Sequence, residues 1–149
     1  MAHLRKRYIQ SLFEESCRFA PITGLLGHRQ VGKTTLVSGF VQNYLTLDKS
    51  SILTQAQLDP ESFISNMKTP VALDEVQLVP SLFPALKEAV RLNKEPGQYI
   101  LTGSVRFSSR KAIRESLTGR INLLEMHPMS ISEIHGDSYF KFFEVATHP

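Results

Sequence analysis

The 149-residue sequence has one cysteine, no tryptophan and no long apolar run, and these shortages exclude several classes of protein. Because Cys17 is the only cysteine, no disulfide can form within the chain, which excludes a disulfide-held secreted scaffold and favours a reducing compartment. No stretch approaches the roughly 18 consecutive apolar residues that a membrane-spanning helix needs. Glu14 and Glu15 interrupt the basic start of the chain, so neither a signal peptide nor a transit peptide is indicated. We therefore expect a soluble, cytoplasmic protein without a membrane partner.

The charge and length of the chain limit what it can be. With 17 Lys and Arg against 14 Asp and Glu, the net charge is +3, which suits phosphate-bearing ligands but is too small to indicate a surface coated by nucleic acid. Such a length holds one ordinary core and not two full domains. We expect the core in residues 1–135. The segment "YFKFFEVATHP" contains more apolar surface than a free tail is expected to expose. We therefore interpret residues 136–149 as the start of a truncated lid or following domain.

Short apolar runs alternate with stretches of helical periodicity, which predicts an α/β protein with a parallel sheet. The predicted strands are "FAPITGLL", "YLTL", "PVAL", "QYILTGS" and "INLLEM". The predicted helices are residues 4–18, the segment from Leu36 to Tyr44, "DPESFISN", "SLFPALKEAVRL", "SRKAIRESLTG" and a short one opened by "SISE". Asp59 is the expected N-cap of the third helix, and "SISE" at 130–133 has the pattern of a capping box.

The stretch "GHRQVGKTT", residues 27–35, lies between the first predicted strand and the next helix and matches the phosphate-binding pattern G-x-x-x-x-G-K-[ST]. Gly27 and Gly32 permit backbone angles that turn successive N–H groups onto phosphate oxygens. Lys33 supplies a mobile positive charge for the β- and γ-phosphates, and Thr34 offers a hydroxyl to magnesium. The other residues expected to bind the nucleotide are His28, Arg29, Gln30, Val31 and Thr35. A loop with an ordinary exposed lysine is the disfavoured alternative, because the strand and the helix supply the context that the motif requires.

Carboxylates follow the third predicted strand in "PVALDEV". Asp74 is expected to hold Mg²⁺ through water, and Glu75 to accept a proton from an attacking water molecule. The alternative is a strand end that carries exposed carboxylates. In "QYILTGS", Thr102 and Ser104 are small polar residues, and Ser104 is preferred as a site residue because it lies nearer the carboxyl edge of the sheet, where ligands bind in open α/β folds. Ordinary turn chemistry is the alternative for both.

Together, "GHRQVGKTT", "LDEVQ", "YILTGS" and "SLTGR…LLEMHPMSISE" resemble an AAA-type P-loop ATPase core. The resemblance runs from roughly residue 5 to 135 and is to a prokaryotic family whose core is normally followed by a long C-terminal domain. It implies a three-layer P-loop NTPase fold, with helices on both faces of a five-stranded parallel sheet in the order 5-1-4-3-2. It also implies ATP and Mg²⁺ as cofactors, Lys33 and Thr34 as the Walker A pair, Asp74 and Glu75 as the Walker B pair, and Ser104 as a sensor-like residue.

Arg120 lies between the helix-ending Gly119 and the last predicted strand. In AAA-type proteins this is a common position for an arginine that contacts the γ-phosphate bound by a neighbouring subunit. The resemblance therefore implies a catalytic role for Arg120 within a homo-oligomer. For the other basic residues between 105 and 120, a solvated helix face is the default interpretation.

The leading hypothesis is MgATP hydrolysis coupled to an unknown partner. One alternative is the first lobe of a nucleic-acid translocase, because "DEVQ" and "LTGS" also resemble helicase motifs, although the required second lobe does not fit in 149 residues. Another is a truncated, non-catalytic nucleotide-binding module that docks on a full-length relative or a C-terminal domain. A GTPase is disfavoured, because "DEVQ" lacks the glycine of D-x-x-G and "NKEP" lacks the aspartate of N-K-x-D.

Overall fold

A computed structural model describes residues 5–104 and 107–136 and contains a five-stranded parallel sheet. The strands are β1 (Ile22–Gly27), β2 (Asn43–Thr46), β3 (Val71–Asp74), β4 (Tyr99–Gly103) and β5 (Ile121–Met126). Their order is β2-β3-β4-β1-β5, which is the expected order 5-1-4-3-2 counted from the other edge. All neighbouring strands are parallel, so every carboxyl end lies at the same edge of the sheet. The expected fold class is confirmed.

Helices precede, connect and follow these strands. They are α1 (Ile9–Phe19), α2 (Lys33–Ser38), α3 (Ser50–Leu58), α4 (Pro60–Ser65), α5 (Leu82–Leu92), α6 (Phe107–Leu117) and α7 (Ile131–His135). A short 3-10 helix, Val76–Leu78, follows β3. Two predicted caps are confirmed. The Asp59 carboxylate accepts a hydrogen bond from the backbone N–H of Ser62 at 3.0 Å, and Ser130 and Glu133 form a capping box at the start of α7.

The core consists of two apolar clusters, one on each face of the sheet, because alternate side chains of a strand point to opposite faces. In β4, Tyr99 and Leu101 belong to the larger cluster and Ile100 to the smaller one. The larger cluster includes buried residues of α3, α4, α5 and α6. The smaller one includes Phe13 of α1 and Val37 of α2. Every residue of β1 and β4 is buried, as is typical of central strands in a parallel sheet covered on both faces.

Three local predictions differ from the structure. Helix α2 ends at Ser38, and Tyr44 lies instead in β2, where it pairs with Ala72 of β3. Helix α3 was not predicted, because its apolar residues do not form a marked apolar face and only Ala56 is fully buried. Helix α1 begins at Ile9 rather than near residue 4. Apolar spacing alone did not resolve these boundaries.

We expected residues 136–149 to be the start of a lid or following domain. Apart from Gly136, these residues lie outside the part of the chain that the structure describes. Within the described ranges, 5–104 and 107–136, no helix is long and apolar enough to cross a bilayer.

Candidate functional site

The loop between β1 and α2 begins at Gly27 and ends at Gly32, and the local backbone geometry requires glycine at both positions. A Cβ atom on Gly27 would lie 2.5 Å from the carbonyl oxygen of Met126, so β1 leaves the sheet pressed against β5. Gly32 has a φ of 100°, a conformation that residues with a side chain rarely adopt. Gln30 also has a positive φ, 63°. The two motif glycines are thus explained by a close backbone approach in one case and by a left-handed turn in the other.

The side chain of Lys33 folds back across this loop. Its ammonium group donates hydrogen bonds to the carbonyl oxygens of Gly27 at 2.8 Å and His28 at 2.7 Å. Burial lowers the pKa of Lys33, and the nearby carboxylates of Asp74 and Glu75 oppose that effect. The ammonium group of Lys33 therefore binds two carbonyl oxygens of the loop and lies near the two acids at the carboxyl end of β3.

Asp74, at the end of β3, is oriented by two donors. One of its carboxylate oxygens accepts hydrogen bonds from the Thr102 hydroxyl in β4 and from the backbone N–H of Glu75, the latter at 2.9 Å. Tyr44 of β2 donates its phenolic hydrogen to the Thr34 hydroxyl at 3.3 Å. Burial, with a further contribution from Asp74, raises the pKa of Tyr44 to about 12, so the phenol stays protonated and remains a donor. Neighbouring strands thus hold the metal-binding candidates Thr34 and Asp74.

Glu75 has a φ of 58°, an uncommon backbone conformation for a residue with a side chain. Its carboxylate accepts a hydrogen bond from the side-chain amide of Gln77. The amide oxygen of Gln77 is buried and has no hydrogen-bond partner among the described residues. A Cβ atom on Gly103 of β4 would overlap that oxygen, so the glycine leaves room for Gln77. The motifs "DEVQ" and "LTGS" therefore meet at the side chain of Gln77, which contacts Gly103 on one side and the carboxylate of Glu75 on the other.

Most of the predicted site residues line one cleft of about 700 Å³ at the carboxyl edge of the sheet. The predicted residues in its wall are Arg29, Gln30, Gly32, Lys33, Thr34, Thr35, Asp74, Glu75 and Ser104. Three residues that were not predicted, Asp48, Gln77 and Leu78, also line it. Gly27 and His28 contribute through the carbonyl groups that bind Lys33, and Val31 contributes through a carbonyl group that binds Arg7 at 2.6 Å.

A second cleft, of about 900 Å³, lies on the other side of the loop. It shares Arg29, Gln30, Gly32 and Thr35 with the first cleft, so the two are separated only by the loop. Its remaining walls come from the segment before α1, from α2 and from the segment after β5, and they include Lys6, Leu36, Phe40, Pro128 and Met129. The loop therefore borders a polar cleft on one side and a more apolar one on the other.

Arg120 is not brought to either cleft. It directly precedes β5, whose first residue, Ile121, pairs with Ile22, the first residue of β1. Arg120 therefore lies at the amino edge of the sheet, whereas the loop follows the carboxyl end of β1. Arg120 is half-buried, and its guanidinium donates a hydrogen bond to the carbonyl oxygen of Thr118 at 3.4 Å. Within one subunit, Arg120 is remote from the other predicted site residues.

Sequence reasoning missed Tyr44, Gln77 and Arg7, and it ranked Thr102 below Ser104. Gln77 had a signal, because it belongs to the motif "LDEVQ". Tyr44 was assigned to a helix, and its contact with Thr34 depends on the position of β2. Arg7 precedes the first helix and lies in no recognised motif, so no local pattern marks it.

Comparison with known proteins agrees with this arrangement of a P-loop on a five-stranded parallel sheet. Residues 20–135, most of the chain, match the sequence profile of the AAA domain, and the chain belongs to that family. Two relatives are an uncharacterized protein of Mycobacterium bovis and one of Mycobacterium tuberculosis, each 31% identical over 118 residues. Each match covers 77% of this chain and 27% of the relative. The chain thus spans about a quarter of the length of these relatives.

Proposed function

We propose that this protein binds MgATP at residues 27–35 and hydrolyses it to drive a partner. The observation that carries the proposal is that Lys33, Thr34, Asp74 and Glu75, which come from two separate segments, line one cleft beside a glycine-bounded loop. Membership of the AAA domain family supports nucleotide binding. Among residues 5–104 and 107–136, no structural feature favours a translocase lobe or a non-catalytic module.

Phosphate binding is assigned to the loop and to Lys33. The lysine ammonium, which now binds the carbonyl oxygens of Gly27 and His28, would exchange these partners for phosphate oxygens. Charge-assisted hydrogen bonds to phosphate are stronger than bonds to neutral carbonyl groups, which favours the exchange. Backbone N–H groups of the loop would bind the remaining oxygens.

The residues of the cleft fit Mg²⁺, because the Thr34 hydroxyl and the Asp74 carboxylate are hard oxygen donors. When bound, the metal would neutralise charge on the β- and γ-phosphate oxygens. Thr102 and the backbone of Glu75 hold the Asp74 carboxylate in place, which reduces the cost of orienting it during binding.

Hydrolysis is assigned to Glu75, with Ser104 as an auxiliary residue. Glu75 is the candidate general base, since its carboxylate reaches the cleft that also contains Lys33. Ser104 lines the same cleft from the end of β4 and offers a hydroxyl to the attacking water or to the γ-phosphate. We place the nucleoside in the second cleft, where Leu36, Phe40 and Met129 supply apolar surface next to the loop.

Binding of a fluorescent ATP analogue in the presence of Mg²⁺ tests the proposal through Lys33→Ala. We expect at least about a tenfold loss of affinity, or about 1.4 kcal/mol, because a charged phosphate contact is removed. Lys87→Ala is the matched control, since Lys87 is an exposed residue of α5 that lines neither cleft. Equal affinity in wild type and Lys33→Ala would contradict the phosphate assignment.

A further inference from the structure

Arg7 is a buried charged side chain that joins three separate parts of the fold. It is 6% exposed. Its guanidinium donates to the carbonyl oxygens of Val31 and His127, both at 2.6 Å, and to the Glu133 carboxylate at 3.2 Å. These acceptors belong to the phosphate loop, to the residue that follows β5, and to α7. One side chain therefore links the loop to the segment after the last strand.

The contact with Val31 determines the orientation of a peptide group in the loop. In a trans peptide the C=O of one residue and the N–H of the next point in opposite directions. Arg7 holds the carbonyl group of Val31, so the N–H of Gly32 is directed away from the guanidinium. Gly32 has a φ of 100° and lines the polar cleft. A Cβ atom on Gly32 would lie 3.4 Å from the guanidinium, which shows how closely Arg7 packs behind this turn.

Glu133 holds Arg7 in this position. Its carboxylate accepts hydrogen bonds from the backbone N–H groups of Tyr8 and Ser130, each at 2.8 Å, in addition to the bond from Arg7. Burial disfavours the anion, but these donors outweigh burial and hold the pKa of Glu133 below its ordinary value. The carboxylate stays ionised at neutral pH and fixes the guanidinium between α7 and the loop.

We propose that Arg7 is a positioning residue that aims the Gly32 N–H at the bound phosphate and couples the placement of α7 to nucleotide affinity. The proposal rests on the proposed function of the loop. Arg7 acts through the Val31–Gly32 peptide, and a displacement of α7 that withdraws Glu133 lowers phosphate affinity. Glu133 provides the sharper test, because it is not among the described residues that line either cleft.

The test compares Arg7→Met, Arg7→Lys and Glu133→Gln with wild type. We expect Mg²⁺-dependent binding of the fluorescent ATP analogue to weaken at least about tenfold in Arg7→Met, with partial rescue in Arg7→Lys and an intermediate loss in Glu133→Gln. Pyrophosphate with Mg²⁺ should show the same order, because it lacks the nucleoside that the second cleft would hold. Affinities are measured well below the melting temperature of every variant.

The ¹⁵N NMR order parameter of the Gly32 amide in nucleotide-free protein gives a readout that does not depend on binding, because it reports how firmly this peptide group is held. We expect a lower order parameter at Gly32 in Arg7→Met and Glu133→Gln, with the Leu101 amide in central strand β4 as rigid as in wild type. Ile64→Ala is the control for lowered stability, since Ile64 is a buried residue of α4 packed in the larger cluster. This variant should melt at a lower temperature and keep the wild-type affinity and the wild-type Gly32 order parameter.

Wild-type affinity and a wild-type Gly32 order parameter in the Arg7 and Glu133 variants, with only a lowered melting temperature, would overturn the proposal. If Arg7→Met does not fold, Arg7→Lys and Glu133→Gln decide by the same two measurements. If wild type does not bind the analogue, the proposed function is wrong. The order parameter of the Gly32 amide then decides alone whether Arg7 positions the loop.

Discussion

Glu75 is held in place both by its backbone and by its side chain. A left-handed φ of 58° costs a residue other than glycine of order 1–3 kcal/mol, a cost that the surrounding structure must offset. The hydrogen bond from Gln77 fixes the carboxylate, and Gly103 leaves space for the Gln77 side chain. This arrangement orients the candidate base before any ligand binds, which is what a proton acceptor in a hydrolytic site requires.

Replacing Glu75 with Gln separates binding from hydrolysis. We expect the variant to bind the ATP analogue as wild type does, because Thr34, Lys33 and Asp74 are retained. We also expect phosphate release to fall by about two or more orders of magnitude, the range for a lost general base. Steady-state phosphate release and analogue binding measure the two effects. Equal turnover in the two proteins would mean that another residue is the base.

The sequence allows short local patterns to be predicted, but it does not reveal the contacts between residues that are distant along the chain. The spacing of Gly27, Gly32 and Lys33 predicts a P-loop because those residue types serve local backbone and charge requirements. The Thr102 bond to Asp74 joins β3 and β4, and it exists only because these strands are neighbours in the sheet. Arg7 is further still from any local rule, since its partners are 24 to 126 residues away along the chain.

At the scale of elements, the strands were the most predictable feature. Strand β5 was predicted with its observed ends, because "INLLEM" is an apolar run bounded by Gly119 and Arg120 on one side and by Pro128 on the other. Helix α4 was predicted because Asp59 caps it and Pro60 occupies its first position. Helix α3 lacks such signals, and its place against the core comes from tertiary packing of Ala56, Ile52 and Leu53.

The contribution of the Arg7–Glu133 contact, at the start of α7, to the free energy of unfolding should depend on pH. The pKa of Glu133 is lowered by folding, so its stabilising effect is complete above its ordinary pKa of about 4.3 and disappears as the pH falls through the lowered value. We expect Glu133→Gln to lower the free energy of unfolding by about 1.5–3 kcal/mol at pH 7, the range for hydrogen bonds to a charged group. The difference from wild type should shrink below about pH 4.

Urea denaturation between pH 3 and pH 7 measures this difference. Glu61→Gln is a suitable control, because Glu61 is an exposed acid in the first turn of α4. Glu61→Gln should lower the free energy of unfolding by about 0.3–1 kcal/mol, the range for an acid near a helix N-terminus, which is less than expected for Glu133→Gln. A Glu133→Gln penalty that stays constant across the whole pH range would contradict an ionised Glu133 as the source of the stabilisation.

For the whole molecule, the sheet topology explains why residues that are distant in sequence share one cleft. The loop before α2 follows β1, Asp74 ends β3 and Ser104 follows β4, and these ends meet at one edge because the strands are parallel. The fold class and strand order were expected from the resemblance of the motifs. The second cleft was not expected, since its walls come from three separate parts of the chain, within residues 5–10, 29–40 and 128–129.

Mixing two impaired variants tests the role of Arg120 in an assembly of subunits. If Arg120 contacts the γ-phosphate of a neighbouring subunit, Arg120→Ala should bind the ATP analogue normally but hydrolyse ATP more slowly, because such an arginine stabilises charge in the transition state. Mixing Arg120→Ala with Glu75→Gln should restore part of the activity, since each supplies at a shared interface what the other lacks. Phosphate release across mixing ratios measures the rescue.

The melting temperature of each single variant is the control for this experiment. An Arg120 that only caps the end of α6 would give no rescue at any ratio, and Arg120→Ala would melt at a lower temperature. That result would leave Arg120 as a structural residue of its own subunit.

The location of Arg120 at the amino edge of the sheet also restricts the symmetry of any assembly that uses it. The loop lies at the opposite edge, about 20 Å away for a strand of six residues. A subunit that contributes Arg120 from its amino edge and accepts a neighbour's arginine at its carboxyl edge favours a head-to-tail contact. In such a contact the two joined surfaces are different. Repetition of such a contact closes into a ring or grows into a filament, and each terminal subunit of an open chain has one unmatched edge. Activity per subunit would then rise with protein concentration as the fraction of terminal sites falls.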